Sequence, residues 1–569
     1  MKRYWLLLIL LLGMGGVLQA SAQDGGRGVV REGNAGLAQN FSTFNPLFCN
    51  DGACRRINNL LFPSLFGVDL ETGQYRESGW GGVAAGWTFD LGGDTPTLTV
   101  TVRDDLRWSD GTPIRAADVL FTADALLEFG SSGAGAAFVE VVERAELIDQ
   151  ASVRFTLKQA VCSAIEAVDI PILPLHAFDP AYAETITNSD DAYSFRYLAR
   201  DAFDRAPTIT ASPVGLRFAN LNPTDAIQLV SADGELAYEY VDVANRDLEV
   251  DLFLRGDLNF ISNPPFERRA DILAGAERGD VQWIAYPGST WYAIQFNLAD
   301  PDEPRPAFDE DGVPLEQGIH PLFGDVRVRR ALQLGLDVPA LIEAGVQGFG
   351  TAVAANQVPG SWAVNGDLAP IGYDPVAADR LLTEAGWFDE NGDGIRECVR
   401  CTTAEPGTRF SFTLLFPDSL TRFDVLSSVI RQQWAQLGVN VDGTTTGSPE
   451  SQDFSAALVS ITENYPVEPD QRRRFTRQGD VVFSGANVGS YYNPEVESLL
   501  TQAASVPDCA ADVRADLYQQ AQTLIQADQP YAWLFVVDQL LAARTGVQNF
   551  APYPQLPFWN LDQWIVINR

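Results

Sequence analysis

Histidine is almost missing from this chain: of 569 residues only His176 and His320 are histidines. Serine–histidine–acid catalysis therefore has two residues to draw its base from. His176 lies in PILPLHAF, among prolines on an apolar segment, which suits a hydrogen-bonded structural histidine, and His320 lies in GIHPLFGD, a loop before a helix. A GxSxG elbow, an HExxH helix, a Walker loop and a GxGxxG turn opening a helix after a strand are all lacking, which removes the usual signatures of serine hydrolases, zinc proteases and nucleotide binders. Basic residues are scarce as well, 39 against 75 acidic ones, for a formal net charge of -36. Nucleic acid and anionic bilayers are poor partners for such a surface, because both need a basic face that displaces counterions. No long apolar run follows the N-terminal one, and neither a low-complexity tail nor an internal repeat is visible. These absences speak against membrane spans, disorder and solenoids.

What is present begins with an export signal. MKRYWLLLILLLGMGGVLQASA, residues 1–22, carries Lys2 and Arg3, an apolar run from Trp5 to Leu12, and small residues Ala20 and Ala22 spaced for cleavage. The mature chain is expected to be exported and soluble, with no cysteine near the cleavage point to accept a lipid. Its length leaves room for two or more domains, of which two lobes are the simplest arrangement.

Six cysteines stand at positions 49, 54, 162, 398, 401 and 509. In an exported chain disulfides persist. Cys49 with Cys54, and Cys398 with Cys401, are close enough for local loops, which leaves Cys162 and Cys509 over. A four-cysteine zinc site built from the two short pairs is the alternative, disfavoured because no further zinc-module element surrounds either pair.

Periodicity along the chain alternates strands and helices. Gly28 to Glu32 reads as extended. Ile57, Leu60 and Leu61 fit a short helix that stops before Pro63. TLTVTV has the two-residue period of a half-buried strand, and Ala116 to Glu128 reads as a helix with Val119, Leu120, Ala123, Leu126 and Leu127 on one face. VEVVERAELIDQASVRFTLKQ holds two short strands, while IPILPLHAF is broken by proline and cannot be one helix. After Pro287, WYAIQFNL is strand-like and two short helices follow. DPVAADRLLTEAGW has Asp374 placed as a cap, Pro375 in the first turn and Gly386 as terminator. VLSSVIRQQWAQLGVNV repeats that plan. A last helix over 511–528 leads into YAWLFVVDQLLAA, a buried strand. Helices feeding strands through short glycine turns imply an α/β lobe.

Chemistry-bearing patterns are few. Asp389, Asn391, Asp393 and Gly394 match the first half of a calcium loop, but the twelfth position is Arg400, so a polar turn is expected. Carboxylate pairs abound, and a secreted hydrolase using two of them is the alternative reading. Aromatic residues mark a more useful set: Trp291 and Tyr292 close a candidate linker, Tyr465 follows Glu463 and Asn464, and Tyr491 and Tyr492 precede Asn493-Pro494. Such residues suit a ligand site with flat apolar walls and a few polar fixers, and equally suit a core.

Six segments in order resemble a known family, the extracellular solute-binding proteins of family 5, which are peptide- and nickel-binding components of ABC importers. They are LRWSDGTPIRAADVLFT, SPVGLRFANLNPTDAIQLV, STWYAIQFNL with FGDVRVRRALQLGLD, YDPVAADRLLTEAGWFDENGDG, VGSYYNPEVESLLTQAA and PYAWLFVVDQLLAAR. The resemblance implies a two-lobed α/β fold of the periplasmic-binding-protein type II class, with an extra subdomain in lobe I and a hinge between lobes. It divides the chain into a lobe I core (23–65, 211–285 and 520–569), a small subdomain (66–210) and lobe II (286–519). It implies a monomer that captures a peptide-like solute, or an oligosaccharide or other non-peptide solute, and hands it to an ABC permease at the outer face of the cytoplasmic membrane. No bond is made or broken, and no cofactor or metal is called for. Position by position it points to Asn50, Asp51 and Gly52 in lobe I, Trp291 and Tyr292 on the strand entering lobe II, and Glu463, Asn464 and Tyr465. Peptide binders carry an aspartate for the ligand's amino terminus where Asn464 stands, with Glu463 beside it. An asparagine cannot neutralise an ammonium, whereas a glutamate can. In LRWSDGTPIRAADVLFT, Asp110-Gly111 is expected to turn the chain and Asp118 to favour the helix dipole. Arg115 replaces the family's capping threonine, which leaves Thr112 as the expected cap.

Overall fold

The computed structural model describes residues 26–37, 41–93, 95–129, 134–178, 200–222, 226–465, 468–554 and 556–567. The expected signal, residues 1–22, lies outside them.

Lobe I opens with strand β1 (Gly28–Ala35) and helix α1 (Gly52–Leu61). Asp51 caps α1 by accepting the Cys54 N–H at 2.7 Å, and Ile57, Leu60 and Leu61 are buried as their spacing predicts. The chain then builds a small antiparallel sheet from β2 (Ala84–Asp90), β3 (Thr97–Val102), β4 (Val142–Leu147) and β5 (Ser152–Leu157), in the order β2-β3-β5-β4. Helix α2 (Ala116–Phe129) packs on this sheet, and the short α3 (Ala164–Val168) follows it. Four strands return the chain to the core of the lobe: β6 (Leu216–Asn222), β7 (Ala226–Ser231), β8 (Leu236–Val243) and β9 (Phe260–Ser262).

The start of α2 corrects one expectation. Thr112 does not cap it. Asp118, at the third helical position, reaches back to accept the Arg115 N–H at 2.9 Å, the carboxylate half of a capping box. The same side chain accepts the Leu175 N–H and, at 3.4 Å, the Trp108 indole N–H. Burial pushes its carboxyl up to about 6 despite these donors. His176 pairs with Asp110 of the same segment at 2.8 Å, so the histidine serves the turn.

Lobe II is entered by β10 (Val281–Phe296). Its helices α4 (Val326–Leu334) and α5 (Val338–Val346) precede a short strand, β11 (Gly350–Ala352). Then come α6 (Pro375–Glu384), β12 (Ser411–Leu415), α7 (Thr421–Ala435), β13 (Asn440–Thr444), β14 (Ala456–Thr462), α8 (Pro494–Ala504), α9 (Ala511–Asp528) and the last long strand, β15 (Tyr531–Arg544). Asp374 accepts the Ala377 N–H at the start of α6, and Gly386 beyond its end takes φ 94°, a conformation glycine enters freely. Helices cover both faces of the sheet. Leu332, Leu341, Leu382, Leu426, Ile430 and Trp434 pack on one face, while Val496, Leu500, Tyr518 and Ile525 pack on the other.

One sheet runs through both lobes, in the order β13-β12-β14-β10-β15-β9-β1-β8-β7-β6, with β11 also on β15. Strands β10 and β15 belong to both halves. Residues 281–287 of β10 pair with β15 in lobe I and residues 291–295 pair with it in lobe II, with a register shift between Pro287 and Trp291. That irregularity is where the antiparallel pair bends, and the expected boundary at 285/286 falls inside β10. Proline at the irregular point removes a backbone donor where the ladder is already broken.

All six cysteines are paired, as Cys49–Cys54, Cys398–Cys401 and Cys162–Cys509. The third bond joins the small subdomain to the loop between α8 and α9. Asp389 accepts the N–H groups of Gly392 and Gly394, making DENGDG a polar turn. No helix among the described residues is long and apolar enough to cross a membrane.

Candidate functional site

Side chains alternate across a strand, so neighbours on β10 face opposite ways. Tyr292 is buried in the core beneath α7, stacked on Phe535 with ring centroids 5.2 Å apart. Trp291 points to the other face, into an aromatic group with Tyr531 and Trp533 at 5.7 and 5.6 Å. Its indole N–H donates to Glu463 Oε1 at 2.9 Å.

Glu463 sits one residue past β14. Pairing continues that far, because its backbone N–H donates to Ser289 O at 2.9 Å. Gln471 Nε2 donates to the same Oε1 at 2.9 Å and is itself fixed by Asn356. The carboxylate is thus oriented by two neutral donors and forms no ion pair among the described residues. Burial pushes it above the ordinary carboxylate range; the indole hydrogen bond and the charge of Arg474 act the other way.

Across from it stands α3 of the small subdomain. Asn464 Nδ2 donates to Glu166 Oε1 at 2.7 Å, joining residues 298 positions apart. Glu166 is raised mainly by burial, opposed by that hydrogen bond, with Glu463 and Asp470 adding repulsion. Ser163 donates to Asp470 at 2.8 Å, and Asp470 pairs with Arg472. Tyr465 lies against Gly73, where an added Cβ would stand 2.7 Å from its hydroxyl; burial pushes the phenol up to about 12. Glu463, Asn464 and Tyr465 therefore share one interlobe seam with Glu166.

Asn50 and Asp51, exposed and half-buried, lead into α1, and the exposed Gly52 is its first residue. Asp51 is occupied by Ser42 and Cys54, and a Cβ at Gly52 would meet nothing within 4 Å. No hydrogen bond or ion pair between this turn and the Glu463 group occurs among the described residues. Glu166, Ser163, Asp470 and Gln471 were not legible as site residues, since nothing local to SAIEAV or PDQRRR announces a partner so distant.

Strands β12 and β14 are parallel, so their C-terminal ends lie on one edge, where open α/β sheets bind ligands. A cavity of about 340 Å³ lies there, lined by Phe416, Asp418, Thr445, Ser448 and Ser460 among others. No group of three histidine, cysteine, aspartate or glutamate residues suited to a metal occurs among the described residues.

The profile of the bacterial extracellular solute-binding proteins, family 5 (middle), matches residues 81–483. The chain belongs to that family. The oligopeptide-binding protein AppA of Bacillus subtilis (strain 168) is 23% identical over 550 residues, covering 92% of this chain and 89% of its own. The structure of that AppA with a nonapeptide gives a TM-score of 0.61 at 21% identity, over 96% of this chain and 100% of the other. The glutathione-binding protein GsiB of Escherichia coli (strain K12) is 23% identical over 561 residues, 94% of each chain. HbpA2 from Haemophilus parasuis has a TM-score of 0.72 at 17% identity, over 95% of this chain and 100% of that one. At these identities the structural likeness speaks for the fold, and the two-lobed family architecture is the one described above.

Proposed function

We propose that this protein captures a peptide-like solute through its free amino group in the cleft between the lobes and delivers it to an ABC importer. The observation that carries the reading is Glu463, a half-buried carboxylate held in place by neutral donors, without an ion pair, beside the opposing lobe. An ammonium group there would receive a charge-assisted hydrogen bond, the strong kind. Glu463 thus takes the task that an aspartate performs one position later in peptide-binding relatives, and Asn464 is freed to bridge to Glu166. The relatives named as oligopeptide-binding and glutathione-binding support a peptide-like solute. The cavity beside β12 and β14 offers room for a side chain of the ligand.

Two carboxylates from opposite lobes repel one another when the site is empty. A cationic ligand offsets that repulsion, and its contacts with both lobes across the rest of the cleft supply the difference in affinity that shifts the equilibrium toward closure. Asn50, Asp51 and Gly52 belong to the lobe I wall in this reading, and Trp291 orients the carboxylate. The protein works outside the cytoplasm, with the permease as the reader of its closed state.

Native mass spectrometry of the purified mature protein tests the proposal. Co-purified peptide, or a thermal shift with trialanine that N-acetyl-trialanine does not produce, is the expected result, since a ligand of the native state stabilises it by mass action. Equal shifts with both peptides would remove Glu463 from amine recognition, and no response to any short peptide would end the peptide reading.

A further inference from the structure

Among the described residues the lobes are joined at two places. One is the hinge, where β10 and β15 run side by side through the register shift at Pro287. The other is the Cys162–Cys509 bond, which closes a loop of 347 residues with the Cα atoms 5.4 Å apart. Cys162 belongs to the segment between β5 and α3 in the small subdomain, and Cys509 to the loop between α8 and α9 in lobe II. The bond is one member of a docked edge: the Cys162 N–H donates to Ala504 O at 2.7 Å, Ser163 to Asp470, and Asn464 to Glu166.

We propose that this disulfide is a third covalent crossing between the lobes, which turns a free hinge into a one-sided door and thereby sets which ligands enter the cleft and how quickly they leave. The argument is geometric. Bonded cysteines keep their Cα atoms within about 7 Å, so the lobes cannot part at this point. Two bodies held at two separate places retain one easy motion, rotation about the line that joins them. The cleft then opens on one side of that line only, and the edge carrying Glu166 and Asn464 stays shut. A short ligand enters through the open side with its amino end against Glu463. A long one that must extend past the bonded edge is excluded.

The ligand half of this inference rests on the function proposed above, whereas the restraint on opening does not. The test uses the full mature protein. Peptide mapping without reductant must first recover the Cys162–Cys509 cross-linked fragment, and its absence would overturn the proposal. Cys162→Ser/Cys509→Ser and, as a second packing of the same site, Cys162→Ala/Cys509→Ala leave the two local disulfides intact. Small-angle scattering of the ligand-free proteins is expected to give a larger radius of gyration for either variant than for the parent. Identical scattering curves would overturn the clamp. Trialanine is expected to dissociate from the variants about tenfold faster, with affinity changes carried mainly in the off-rate. A nonapeptide of alanine and serine is expected to bind the variants and not the parent. Wider scattering with unchanged peptide preference and off-rate would keep the clamp and remove its role in selection. Failure of both peptides to bind any of the proteins would sink the peptide reading, and the scattering comparison would still decide the clamp.

Discussion

Trp291 donates its indole N–H to Glu463 Oε1 at 2.9 Å, so an aromatic side chain in the core of lobe II aims a carboxylate at the opposing lobe. We predict that Glu463→Gln weakens binding of a free-amine peptide by about 10- to 100-fold, the worth of a hydrogen bond to a charged group, roughly 1.5–3 kcal/mol. Titration calorimetry with trialanine and its N-acetylated form checks this. A glutamine variant that binds trialanine as the parent does would show that the amine sits elsewhere.

Trp291→Phe tests the aiming alone. Phenylalanine keeps most of the packing on Tyr531 and Trp533 but loses the donor, while Gln471 still holds the carboxylate. We predict a loss of about 3- to 10-fold in affinity for the same peptide, about 1 kcal/mol, because the carboxylate keeps its other donor and its place beside the ligand. A loss as large as that of Glu463→Gln would mean that the indole touches ligand directly.

The buried carboxyl of Asp169 makes stability depend on pH. It accepts the Phe66 N–H at 3.0 Å and the Tyr75 hydroxyl, yet burial pushes it up to about 7 from the ordinary 3.8. The native state therefore binds the proton more tightly than the unfolded chain. The stability this supplies is complete below the unfolded value and is lost as pH rises through about 7. Glu249, pushed up to about 8 chiefly by burial, acts with the same sign. We predict that the melting temperature falls between about pH 5 and pH 8, and falls less in Asp169→Asn, where that titration is gone. Scanning calorimetry across this range decides it, and parallel curves for the two proteins would clear Asp169 of the effect.

Gly288 belongs to the bend in β10. A Cβ added there would stand 2.6 Å from Val537 O and 2.8 Å from Gln539 Nε2 on β15. Because one of these atoms is backbone, the strands must move. We predict that Gly288→Ala costs about 1–3 kcal/mol, the usual range for overpacking, and alters the small-angle scattering profile by resetting the angle between lobes. Unchanged melting and scattering would show that the bend has slack.

Local features were readable from the residues, and distant ones were not. Asp374, Pro375 and Gly386 bound α6 because capping and termination act within a turn of the chain. Trp108 and the Asp110-Gly111 turn fall where their pattern suggests. The cap of α2 was misread because Thr112 has the right chemistry at the wrong distance, whereas Asp118 reaches back from inside the helix. Trp291 and Tyr292 read as the close of a linker with a change of pattern after Pro287, yet all three lie within a sixteen-residue strand, because the ladder is irregular at the proline and needs no donor there. Glu166 and Asn464 carry no mutual signal at all: their hydrogen bond depends on the docking of two folded bodies. The resemblance pointed to Glu463, and the structure supplied its hydrogen-bond partners.

Strand β15 has a consequence for the order in which the molecule is made. It is a shared central strand, paired with β10, β9 and β11, and it follows every other strand of that sheet in sequence. Neither half can complete its sheet until that strand has been synthesised. A nascent chain of this design thus has a built-in delay: the sheet that both lobes share stays open at its middle until its last strand has been made.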